Sequence, residues 1–155
     1  MSLNISPVYA KQYIRYCETY QAATRNQGNT ADVSLGEYRV VAYATYAGAN
    51  QCCAPGDLTS FTGAILGVNQ AFIPTVTDQP ETARQASVAS SGMLIVEVAT
   101  GAATPALDSQ LKVNGLGQAV GAADTGTAVT VQGTLPRIRE IVDIGGRKLA
   151  VTSFN

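Results

Sequence analysis

The chain has no histidine and no tryptophan, only three cysteines, and charge on just 14% of its 155 residues. Each shortage excludes something. Without histidine it lacks the one side chain that titrates near neutrality unaided, and with it the commonest general base and nucleophile activator. The acids stand singly among short Val/Ala/Thr/Gly-rich runs, so none is marked as a catalytic pair. Cys17, Cys52 and Cys53 form no CxxC and have no histidine to complete a zinc set. No phosphate-binding Gly-rich motif and no EF-hand pattern occurs. The expectation is a protein with no catalytic residues, no cofactor and no metal.

Charge excludes more. Residues 1–50 carry Lys11, Arg15, Arg25 and Arg39 against Glu18, Asp32 and Glu37, a net of +1. Residues 51–134 carry Arg84 and Lys112 against six acids, a net of −4, and residues 135–155 carry Arg137, Arg139, Arg147 and Lys148 against Glu140 and Asp143, a net of +2. No basic stripe is present, so a nucleic-acid partner is not expected. Mildly basic ends around an acidic middle suit head-to-tail docking, or a solvated surface. No uncharged apolar run approaches the length of a spanning helix, and MSLNISPVYAKQYIRY lacks a signal-peptide core. The expectation is a chain made in the cytoplasm without membrane contact. An odd cysteine count with two adjacent residues predicts three free thiols, buried or partly so.

What is present reads as β-structure with a different beginning. Tyr9, Tyr13, Tyr16 and Tyr20 recur at steps of four, three and four, behind Ser6-Pro7. That spacing predicts a short helix or arm over 7–20, with the tyrosines on one face. The stripe either closes the domain's own core or docks a partner. Residues 21–32 read as a linker, which divides the chain into an arm, 1–32, and a β-domain, 33–155. Strands are expected at 37–47, 64–70 (with Gly67 at a bulge or close approach), 82–90, 93–99 after a Ser91-Gly92 turn, 110–113, 128–132, 139–144 and 147–153. Gly145-Gly146 between the last two predicts a tight hairpin with positive φ at both glycines. About eight short strands at such spacing predict an all-β fold, a small barrel or sandwich. The Gly/Ala-rich stretch 115–126 reads as a soft loop.

The order of these segments carries a resemblance. Phe61–Gln70, with Ile65-Leu66-Gly67-Val68, is followed by Glu81–Ala99, with Val88, Gly92, Ile95 and Val98. Then come Asp108–Ala119, with Leu111, Gly115 and Gln118-Ala119, and a closing segment with Leu149-Ala150-Val151. Over residues 36–155 this resembles the small β-rich capsid decoration, or cement, proteins of tailed bacteriophages. The resemblance implies a virion structural protein on the capsid exterior. It would bind the major capsid protein, bridge coat subunits and self-associate, with a trimer favoured. Tyr9, Tyr13, Arg15, Tyr16 and Tyr20 are then the expected contact residues. Rival readings are a tail, neck or head-fibre component, or a small-ligand-binding β-barrel or hydrolase with 115–128 as a lid.

Overall fold

The structure, a computed structural model, describes residues 12–27, 33–46, 50–56, 63–75 and 83–154. Nine strands follow in chain order: β1 (Tyr13–Ala22), β2 (Arg39–Tyr43), β3 (Gln51–Cys53), β4 (Ile65–Asn69), β5 (Gln85–Glu97), β6 (Lys112–Val113), β7 (Thr127–Ala128), β8 (Arg137–Ile144) and β9 (Arg147–Phe154). Seven form one sheet in the order β1-β3-β2-β4-β5-β9-β8, and β6 and β7 pair separately. Because β1 also pairs with β5, strands β1, β3, β2, β4 and β5 close on themselves, and β9 and β8 extend the sheet from the far half of β5. The expected all-β class, barrel- or sandwich-like, is what the chain adopts. Closure removes edges that would otherwise template aggregation.

Strand β2 reads RVVAY rather than alternating, because both of its faces are covered. Val40 joins a core with Val68, Leu94, Val96, Leu111 and Ile138, while Val41 joins a second core with Ala22, Cys52, Ala86 and Val88. Neighbours Val88 and Ala89 of β5 divide in the same way. A strand buried on both faces needs an unbroken apolar run.

Four expectations are corrected. Residues 13–22 are a strand and not a helix, paired antiparallel with β5 from Tyr13↔Met93 to Gln21↔Gln85. Residues 21–27 are not a free linker: Ala22, Ala23, Asn26 and Gln27 are buried, and the Gln27 side chain donates to the Tyr43 carbonyl at 2.7 Å. Segments 82–90 and 93–99 are one continuous strand from Gln85, with Gly92 inside it rather than at a turn. Stretch 115–126 is a set of fixed turns and not a soft loop. Asn114 Oδ1 accepts from the amides of Leu116 and Gln118, and Asp124 Oδ2 accepts from those of Ala103 and Gly121.

Other expectations hold. Gly145 and Gly146 have φ of 60° and 84° and close the β8–β9 hairpin at Ile144↔Arg147. Gly67 sits beside a register shift between β2 and β4, and a Cβ built on it would lie 2.1 Å from the Ala89 carbonyl oxygen. Among the described residues no helix is long and apolar enough to cross a membrane.

Candidate functional site

Among the described strands, β1 carries the longest exposed run. From Tyr13 to Thr19 every residue is exposed, and burial begins only at Tyr20. Tyr13 is 66% exposed, Tyr16 51% and Ile14 39%. Large apolar groups in a row on both faces of a hydrogen-bonded strand are unusual for a monomer surface.

The pairing of β1 with β5 is irregular around Tyr16. Tyr13 faces Met93 and Ile14 faces Gly92, but Tyr16 faces Ser91, so Arg15 is an extra residue in β1. A second irregularity, between Tyr16 and Cys17, passes over Ser90 of β5 and restores the original register. Tyr16, Glu18 and Tyr20 then follow at the ordinary strand period. Of the sequence-expected contacts, Tyr13, Arg15, Tyr16 and Tyr20 lie together on β1, and Tyr9 lies outside the described residues.

Glu18, which sequence reasoning passed over, organises the stripe. The Tyr16 hydroxyl donates to Oε1 at 2.6 Å and the Tyr20 hydroxyl to Oε2 at 2.7 Å. These bonds, Tyr16's first, hold the carboxyl below the usual carboxylate range, and their counterpart pushes Tyr20 up to about 12. Charge-assisted bonds of this kind fix the acid's orientation. Tyr16, Glu18 and Tyr20 rim a groove of about 300 Å³ floored by Ile65, Leu66 and Val88. Glu18 has no basic partner among the described residues. The Y-x-E-x-Y alternation was the available signal, hidden by reading the segment at helical period.

A second cluster lies where β2, β5 and β9 meet. Glu97 Oε1 accepts from Arg39 Nη2 at 3.2 Å and Gln118 Nε2 at 3.0 Å, and Oε2 accepts from Arg147 Nε at 2.8 Å. Arg147 also reaches Glu37 at 3.4 Å and lies 5.5 Å over the Tyr38 ring. Clefts of about 270 and 330 Å³ flank these residues. Partial burial pushes the Glu97 pKa up, but the Gln118 and Arg147 hydrogen bonds and the two guanidinium charges outweigh it and leave it lowered. Glu37 and Glu97 are thus the acids that the fold brings together here, with Arg147 between them. A carboxyl held ionised is the opposite of a general acid, which needs a raised pKa. The cluster is a clamp across three strands.

The clamp gives a pH signature. A folded pKa below the unfolded one means that the stabilisation is complete above the unfolded pKa and lost as pH falls through the folded pKa. Melting temperature should therefore fall more steeply between about pH 5 and pH 2 in the wild type than in Glu97→Gln, which has nothing left to protonate there. Parallel curves would show that the clamp contributes nothing.

The thiols are all free, as expected. Cys52 and Cys53 are buried, but Cys17 is exposed on β1, against the expectation of at least partial burial, with Sγ 2.9 Å from Ser87 Oγ. Burial first, then the neighbouring Cys53, pushes Cys52 up to about 12, and burial pushes Cys53 up to about 11. Thiolate is the reactive form. A disulfide reagent at pH 8 should therefore titrate one thiol, Cys17, in the native chain and all three after denaturation. Native reaction of two or three would contradict this burial. Among the described residues no three His, Cys, Asp or Glu groups gather as a metal set.

Comparison with protein-family models, with curated proteins and with solved structures finds no match for this chain.

Proposed function

We propose that the chain is a structural protein of a virus particle, a decoration or cement protein that binds the outer capsid surface and bridges coat subunits. The observation that carries the reading is β1: Tyr13–Thr19 is exposed on both faces and presents aromatic groups around an oriented carboxylate. Tyrosine supplies large contact area at small entropic cost, and a strand edge supplies main-chain bonds to a partner. Three of the four segments of the resemblance agree with this reading in falling on β4, β5 and β9 of the main sheet, while Asp108–Ala119 falls on β6 and its turns. A decoration protein works through surfaces alone, so it has no need of the titrating groups that this sequence lacks.

The test is reconstitution. Purified chain is added to expanded, DNA-free capsids of the phage that encodes it, prepared without it, and the mixture is sedimented. Saturable co-sedimentation with the shell is expected. Chain that stays in the supernatant, or that pellets only with tails, contradicts the proposal.

A further inference from the structure

The groove along β1 differs in charge from the two clefts beside Glu97. Those clefts are lined by both signs, already joined to each other: Arg39 and Arg147 on Glu97, and Arg147 again on Glu37. In the groove, Glu18 is the one charged residue of the lining among the described residues, and no described base reaches it. Each of its oxygens accepts one tyrosine hydroxyl, Oε1 from Tyr16 and Oε2 from Tyr20. An ionised carboxylate offers about four acceptor positions, so roughly half stay open to a further donor. The tyrosine bonds aim the acid without neutralising it.

The surroundings of that carboxylate are as specific as its charge. Tyr16 and Tyr20 stand two residues to either side of Glu18 on β1, at the strand period that places all three on one face. Val88 is directly opposite Glu18 on β5 and shares that face, and with Ile65 and Leu66 of β4 it makes an apolar floor. The volume, about 300 Å³, lies at the low end of ligand sites, which run from about 300 to 1,000 Å³. That is room for one long side chain. An open anion, two aromatic rings and an apolar floor are together complementary to a cation on a hydrocarbon stem.

We propose that this groove receives an arginine side chain presented by the partner surface. This deepens the capsid reading and rests on it for the partner, the coat lattice; the preference for arginine rests on the groove alone. The guanidinium fork takes the open lone pairs of Glu18, its flat face lies against a tyrosine ring, and its methylene stem covers Val88, Leu66 and Ile65. Lysine fits less well, because an ammonium has neither the fork nor the flat face. A neutral polar group leaves the carboxylate without a counter-charge. Arginine and tyrosine are also the residue types that dominate the energetics of protein contacts.

The experiment has two arms. In the first, isotope-labelled full chain is titrated with N-acetyl-arginine methylamide and followed by amide chemical shifts. Saturable shifts centred on Glu18, Tyr20, Leu66 and Val88 are expected, with a Kd on the order of 10 mM, the strength of one exposed charge-assisted contact and one cation–π contact. The lysine analogue should bind about threefold more weakly. The citrulline analogue, a neutral isostere of arginine, should bind about tenfold more weakly, and Glu18→Gln should cost the arginine probe about the same factor. Glu18 is exposed, so the variant keeps its fold, which amide shifts far from β1 check. An absence of saturable shifts overturns the proposal, as does saturation centred on Glu37 and Glu97. An equal response to the lysine or citrulline analogue, or from Glu18→Gln, overturns it too. In the second arm, Glu18→Gln is scored beside the wild type for capsid co-sedimentation, and its affinity should fall about tenfold or more. Equal co-sedimentation of the two overturns the proposal and leaves the capsid reading standing. A wild type that binds the arginine probe but not the shell counts against the capsid reading and not against the groove.

Discussion

Replacing Arg84 by methionine is expected to cost more stability than any other single substitution in the chain. Arg84 is fully buried, whereas the other described cations reach the surface. Among the described residues its guanidinium donates to carbonyls. Nε donates to the Pro74 carbonyl at 2.8 Å, Nη1 to those of Ala22 and Ala23 at 3.2 and 2.9 Å, and Nη2 to that of Val33 at 3.0 Å. One guanidinium thus fastens the end of β1, the segment entering β2 and the segment that follows β4. Methionine fills similar space but donates nothing, and each buried carbonyl left without a partner costs about 1–3 kcal/mol. A loss of at least about 3 kcal/mol is expected, enough to unfold a domain of ordinary marginal stability. Arg84→Lys should fall nearly as far, because an ammonium lacks the planar fork that spans these carbonyls. Urea unfolding monitored by tyrosine fluorescence measures both. A midpoint shift equivalent to less than about 1 kcal/mol would mean that the carbonyls find other partners.

The second large effect is expected at Gly92. Its φ is +119°, and a Cβ built there would lie 2.0 Å from the Tyr13 carbonyl oxygen. Alanine must therefore strain its own backbone and displace β1 from β5, at about 3 kcal/mol on the usual cost of either fault. The damage should be directional. Amide exchange ought to accelerate along β1 first, while the β8–β9 hairpin, on the other side of β5, keeps its protection. Uniform acceleration, or none, would contradict the account of Gly92 as the place where β1 crosses close to β5. Because β1 carries the proposed docking surface, Gly92→Ala should also lose particle binding in proportion to the loss of β1.

These two residues show why some of the molecule was legible in its sequence and some was not. The Gly145-Gly146 hairpin was legible because a two-residue turn is a local problem with a local solution, written in the residues themselves. Gly92 was misread for the complementary reason. Ser91-Gly92 has the composition of a turn, but the glycine serves a strand from the other end of the chain, and no local pattern records where Tyr13 will pass. Arg84 gave no signal, since its four carbonyls come from three distant segments. β1 itself was read at the wrong period. Its tyrosines fit a helical face, yet YIRYCETYQA is rich in strand-forming Tyr, Ile and Thr, and two offsetting register shifts on either side of Tyr16 interrupt the simple strand alternation. Reading the segment at strand period would have found Glu18 between Tyr16 and Tyr20, and with it the organising residue of the exposed surface. The Glu97 clamp was beyond sequence reasoning, because Arg39, Gln118 and Arg147 converge on it only after the strands have paired.

The central claim is that this chain is a stoichiometric part of a particle's shell. The most direct measurement is its copy number in purified particles of the phage that the proposed role requires, by quantitative mass spectrometry against the major capsid protein. A fixed ratio of order one chain per coat subunit or per coat trimer, preserved when tails are removed, is the predicted result. Absence from the particle, or a handful of copies that leave with the tails, would contradict it.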